Sequence, residues 1–201
     1  MDTKLGELVA TMESAGTYDK TLIMLSAKHG QSPIDRSELK WVDPDSLINA
    51  TAVDVAGSAL DDAGLLWLAN SSDTALAVKN LQALKSELHI LDIWSGASAI
   101  ANGFGDASRD SRAPDIVIKT EPGVIFTRGS AQKTAEHGGF NHDDVAVALF
   151  ASHPMIKGCK DNTAVSTRSI APTALKALGL DPLYLEGVRA EATPLLPGLP
   201  F

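Results

Sequence analysis

Two runs of the chain stay apolar over the length of a strand without alternating: TLIMLSA (residues 21–27) and VAVALFASHP (145–154). A strand with one wet face alternates apolar and polar residues, so a run without alternation needs cover on both faces. The first run also follows a helix. Leu5, Leu8, Val9 and Met12 recur at helical spacing, and Gly16 stops the pattern, which predicts a helix over residues 3–15. Helix followed by two-sided strand predicts an α/β fold: a mainly parallel sheet, helices on both faces, and a site at the carboxyl ends of the strands.

The remaining segments fit that plan. GLLWLAN (64–70), LHILDIW (88–94), DIVIKT (115–120) and GVIFTRG (123–129) read as strands, the last two divided by a Pro-Gly turn. Asp73 is placed to cap a helix whose Ala77, Leu81, Leu84 and Leu88 form one apolar stripe. GASAIANGF reads as a short helix. A C-terminal helix has Pro172 in its first turn and Gly179 as its stop, with Ile170, Ala174 and Leu178 expected to face the core. A Pro-rich tail that packs on the fold closes the chain. Residues 30–62 mix turn signals with short apolar pairs and predict an irregular insertion with a short strand near 51–55. The 201 residues, 44% of them hydrophobic, suffice for one portion of one domain spanning 1–201.

Charge and composition exclude several classes. A formal net charge of −8 disfavours a surface for a nucleic-acid polymer. No window of about 18 apolar residues exists to span a membrane. Cys159 is the one cysteine, which rules out a disulfide within the chain, and its polar surroundings read as an unpaired loop thiol.

Two places share one design, a histidine followed by glycine: SAKHGQS around His29 and AEHGGFN around His137. Histidine is the commonest metal ligand, and a following glycine leaves little backbone bulk behind the imidazole. From the residues alone, His29 and His137 are candidate metal ligands or ordinary loop histidines. His89, His142 and His153 carry weaker signals. Gly30-Gln31-Ser32 has the start of a nucleophile elbow, but Pro33 stands where a second glycine is needed. GFGDAS lacks the third glycine of a dinucleotide fingerprint.

TLIMLSAKHGQSPID resembles the strand and His-Gly element of the alkaline phosphatase superfamily, in its type I phosphodiesterase/nucleotide pyrophosphatase branch. AEHGGFNHDDVAVALFASHP is similar to the branch's last metal-binding His-Gly and the strand after it. RSIAPTALKALGLDP with GVRAEATPLLPGL is similar to its C-terminal helix and tail, and SRAPDIVIKTEPGVIFT fits the segment between. The resemblance runs in order along nearly the whole chain. It implies a metal-dependent phosphoester hydrolase, of phosphodiesterase, nucleotide pyrophosphatase or phosphatase type, acting on a small-molecule phosphoester. It further implies two zinc ions and a Thr or Ser nucleophile that forms a covalent phospho-enzyme intermediate. By the same resemblance His29 would bind the ion that activates the nucleophile, and His137 the other.

Lys28 departs from the pattern, standing where the branch usually has a metal-binding aspartate. An ammonium has no lone pair for a metal. Three substitutes follow: a nearby carboxylate takes over, one ion is held, or Lys28 contacts the phosphate directly. A lysine that only reaches solvent is the plain alternative. The branch's nucleophile, its first aspartate and an Asp-x-x-x-His pair all precede the region matched here. The chain is therefore expected to be the C-terminal half of such an enzyme, with a partial zinc site and no activity by itself. The rival from another class is a non-catalytic remnant of the same fold. Relatives of this branch are usually secreted or periplasmic, which leaves the compartment of this chain open.

Overall fold

The computed structural model describes residues 2–32, 35–129, 133–158 and 160–200, so Cys159 and Pro33 lie outside the described residues. The chain divides into two compact units: residues 1–27 with 148–201, and residues 28–147.

In the first unit, helix α1 (Asp2–Ser14) precedes strand β1 (Ile23–Ser26), which pairs antiparallel with β8 (Leu149–Ser152), Ile23 opposite Ser152. Both strands fall inside the apolar runs that pointed to a sheet covered on both faces. They pair only with each other among the described residues, so β1 is half-buried and Phe150 remains 62% exposed. Helix α6 (Ile170–Ala177) and helix α7 (Glu186–Glu191) follow, tied by an Arg168–Glu191 ion pair at 2.6 Å. Pro172 sits in the first turn of α6 and Gly179 lies just beyond its end, at a φ of +75°. Of the residues expected to face the core from α6, Ile170 and Ala174 are half-buried and Leu178 is not. Pro172 and Thr173 are buried, whereas Leu178 is 73% exposed. Thr173 is held at this face: its hydroxyl donates to Ser169 O at 2.6 Å and accepts from the Leu196 amide at 2.8 Å. That second bond anchors the Pro-rich tail, and Leu196 is buried.

The second unit holds β2 (Lys40–Val42), α2 (Pro44–Ala50), β3 (Val55–Leu60), β4 (Ala63–Leu68), α3 (Thr74–Ala83), β5 (Ile90–Ser95), α4 (Ala97–Ala101), β6 (Ile116–Thr120), β7 (Val124–Phe126) and α5 (His142–Val145). Its main sheet has the order β3-β4-β6-β5, all antiparallel, and β2 pairs parallel with β7. The α/β class is the expected one. The expected mainly parallel sheet is not found: among the described residues parallel pairing occurs only at β2–β7, and the tight Asp61-Asp62 turn makes β3 and β4 an antiparallel hairpin, which needs no crossover helix.

Residues 30–62, expected to be irregular with a short strand near 51–55, are more regular than that: they hold a helical turn (Arg36–Glu38) and then β2, α2 and β3, the last starting at Val55. Local chemistry explains the helix: Asp43 caps it by accepting from the Asp45 amide at 2.9 Å, and Pro44 occupies its first position. The core gathers Leu47 of α2, Leu66 of β4, Leu81 of α3, Ile116 and Ile118 of β6, and Phe126 of β7. Each such side chain contributes about 1.5–3 kcal/mol by leaving water.

Candidate functional site

All the candidate site residues lie in the second unit. Lys28, His29 and Gly30 open it, and Gly30 is pinned to the far end of the unit by its amide, which donates to Asp144 O at 2.8 Å. Two residues on, Ser32 and Glu136 exchange backbone hydrogen bonds of 2.9 and 2.8 Å as an isolated antiparallel bridge. These contacts bring the two His-Gly segments side by side. The rings of His29 and His137 stack with centroids 4.0 Å apart and planes 23° from parallel.

His29 Nδ1 lies 2.8 Å from Gly30 O. A carbonyl only accepts, so the proton sits on Nδ1 and the lone pair on Nε2. His137 Nε2 is 3.9 Å from Glu136 Oε1. Lys28 is exposed beside His29. Of the weaker histidines, His89 pairs with Glu121 at 3.0 Å and, with Lys40, keeps that carboxyl below its usual range. Ser32 is buried within the bridge, away from any strand-to-helix elbow of the kind a serine nucleophile requires.

Two buried acids beside the candidate site were not legible in the sequence. Asp62, 1% exposed, and Asp144, 4% exposed, face each other behind His137-Gly138-Gly139. Thr120 Oγ1 donates to Asp62 O at 2.7 Å and fixes the Asp61-Asp62 turn against the end of β6. Asp144, three residues into the turn that starts at Asn141, accepts from the Asn141 amide through Oδ2 at 2.9 Å. Burial, reinforced by the Asp144 side chain, pushes the Asp62 carboxyl up to about 7. In sequence, Asp61-Asp62 looks like any polar hairpin turn. The one available signal is the acidic pair Asp143-Asp144 directly before an apolar run.

The donor set for a metal is incomplete. Among the described residues no group of three His, Cys, Asp or Glu side chains converges as a metal site. Stacked imidazoles carry their lone pairs within two nearly parallel planes, so the two rings do not converge on one ion lying between them.

The fold is shared with solved structures. Over 89% of this chain and 46% of theirs, it is similar to human ectonucleotide pyrophosphatase/phosphodiesterase 5, at 13% identity and a TM-score of 0.64. The murine form of that protein matches at 14% identity and a TM-score of 0.63. A wild-type alkaline phosphatase, PafA, matches at 17% identity and a TM-score of 0.60, over 90% of this chain and 39% of its own. The chain thus spans under half the length of these structures. No curated protein sequence gives a significant match. The class is therefore an alkaline phosphatase-like α/β fold. The family model for type I phosphodiesterase/nucleotide pyrophosphatase matches residues 1–144, and the chain belongs to that family.

Proposed function

We propose that this chain supplies the His29 and His137 portion of a two-zinc phosphoester hydrolase site, the nucleophile and the other ligands being contributed by residues outside 1–201. The observation that carries this reading is the stacked histidine pair, each ring on a His-Gly turn and each held by backbone contacts between the two segments. The parallel ring planes suit one imidazole per ion rather than chelation of a single ion. When bound, such ions supply positive charge that stabilises the attacking and leaving oxygens of a phosphoryl group.

The chain's own groups have definable parts in that reading. His29 would offer Nε2 as donor, its tautomer fixed by the Gly30 carbonyl. His137 would serve the other ion. Lys28, exposed at the mouth of the same segment, would contact the phosphoryl oxygens of a small phosphoester.

Zinc titration by calorimetry tests the proposal. Binding to the isolated chain is expected to be far weaker than at a three- or four-ligand site, and to be reduced by His29→Ala. Nanomolar affinity, or turnover of bis-p-nitrophenyl phosphate that His29→Ala abolishes, would show that residues 1–201 carry a complete site.

A second reading, a non-catalytic member of the family, is favoured by Lys28 in the place of a ligand and by the absence of a three-donor cluster among the described residues. It predicts that zinc binding is indifferent to both His29→Ala and His137→Ala.

A further inference from the structure

The carboxyl groups of Asp62 and Asp144 are buried, and three of their four oxygens lack a donor among the described residues: both of Asp62 and Oδ1 of Asp144. The fourth, Asp144 Oδ2, takes the Asn141 amide. No cation pairs with either acid among the described ion pairs. Asp61, next in sequence, is engaged at 2.9 Å by Lys133, which also pairs with Glu136. Glu121, beyond Thr120, is taken by His89 and Lys40. His142 and Asp143 flank Asp144 on its own turn, and His137 sits beside Glu136. Two ionised carboxylates facing each other in such surroundings would carry both a desolvation cost and a mutual repulsion. One proton between them removes the repulsion and joins two of the three bare oxygens in one hydrogen bond.

We propose that Asp62 and Asp144 share a single proton, and that this carboxyl–carboxylate bond is the clamp that positions the two His-Gly segments. The backbone shows how the clamp reaches them. A Cβ on Gly139 would lie 2.3 Å from Asp144 Oδ2 and 3.0 Å from Asp62 Cγ, so the glycine after His137-Gly138 is laid directly across the acid pair. On the other side, Asp144 O takes the Gly30 amide, and a Cβ on Gly30 would lie 1.7 Å from Asp143 O. The residue after His29 is thus seated on the same acid-bearing turn. Thr120 holds Asp62 to the sheet, so the pair fastens both histidine segments to a rigid element. Asp62 and Asp144 are positioning residues. Loss of the shared proton leaves two facing carboxylates that push Asp144 away from Asp62, and with it the acceptor for Gly30.

The consequence for catalysis rests on the metal reading above, whereas the clamp does not. The primary measurement therefore needs neither metal nor substrate, metal entering only as a final control: amide exchange at Gly30, followed by NMR in the full 201-residue chain on the two sides of neutrality and corrected for intrinsic rates. In the unmodified protein, protection of Gly30 should fall at least tenfold from about pH 5.5 to about pH 8. Asp62→Asn carries a permanent donor toward Asp144 and should hold Gly30 protected at both values. Asp62→Ala should leave it weakly protected at both, with the Ile118 amide of β6 reporting that the sheet remains folded. If Asp62→Ala unfolds the sheet, the comparison of Asp62→Asn with the unmodified protein still decides. Equal pH dependence in those two proteins would overturn the proposal. So would recovery of Gly30 protection at pH 8 on adding magnesium or zinc to the unmodified protein but not to Asp62→Asn, since that would make the occupant a cation.

Discussion

His29 and His137 are 108 positions apart in the chain (137 minus 29), yet their rings stack at 4.0 Å. The stack depends on two short backbone links, Gly30 to Asp144 and Ser32 to Glu136, neither of which involves a histidine side chain. The imidazoles are therefore presented by the loops rather than by each other.

If each ring serves its own ion, the two histidines should act independently. At saturating zinc, His29→Ala and His137→Ala should each remove roughly half of the bound metal, and the double variant nearly all of it. Calorimetric stoichiometry checks this. A single substitution that abolishes binding altogether would mean that both rings chelate one ion.

Close backbone approach makes two glycines irreplaceable. Gly30→Ala would drive a methyl group into Asp143 O, and Gly139→Ala one into Asp144 Oδ2, so each should destabilise the second unit by about 1–3 kcal/mol or more. Gly6 in α1 has nothing within 4 Å of its would-be Cβ. Gly6→Ala should instead stabilise its helix by about 0.5–1 kcal/mol. Urea denaturation of the three variants gives the comparison.

Stability should fall as the pH is raised from about 4 to about 7. An acid whose folded pKa is raised holds its proton more tightly when folded. The stability it confers is complete below its unfolded value near 3.8 and is lost as pH rises through about 7. Between about pH 4 and pH 7 the melting temperature of the second unit should decline, and Asp62→Asn should flatten that slope. Differential scanning calorimetry across this range measures both. A slope that Asp62→Asn leaves unchanged would assign it to other groups.

Core and surface leucines in helical stretches should separate cleanly. Leu81→Ala in α3 empties a fully buried position and should cost about 2–5 kcal/mol. Leu178→Ala, just past α6 and 73% exposed, should change stability by less than about 0.5 kcal/mol. Equal losses from the two would mean that Leu178 is covered in solution by a surface outside this chain.

Elements whose signals are local were legible. The Pro-Gly turn before β7, Pro172 in the first turn of α6 and Gly179 beyond its end all act within a few residues and form as the residue pattern indicates. Of the expected stripe Ala77, Leu81 and Leu88 are buried, whereas Leu84 is exposed and Asp73 sits at the cap of α3 without a side-chain cap bond. Residues 36–60 were misread because their order comes from partners far along the chain: β2 pairs with β7, and β3 with β4 on the far side of a tight turn. At α6 the exception is Leu178, which is exposed, while Thr173 is buried with a hydroxyl that satisfies two backbone groups, a pairing the apolar period does not announce.

The sequence by itself determined the α/β class, the family through its motifs in order, and the two His-Gly segments, since each is written in residues that are neighbours along the chain. Only the tertiary structure decided that His29 and His137 meet, that the sheets pair mostly antiparallel, and that Asp62 and Asp144 face each other in the dark behind Gly139. Burial and proximity between distant residues arise from chain closure. An aspartate in a hairpin turn carries no mark of the carboxylate it will meet 82 positions later (144 minus 62) until the fold has excluded the water between them.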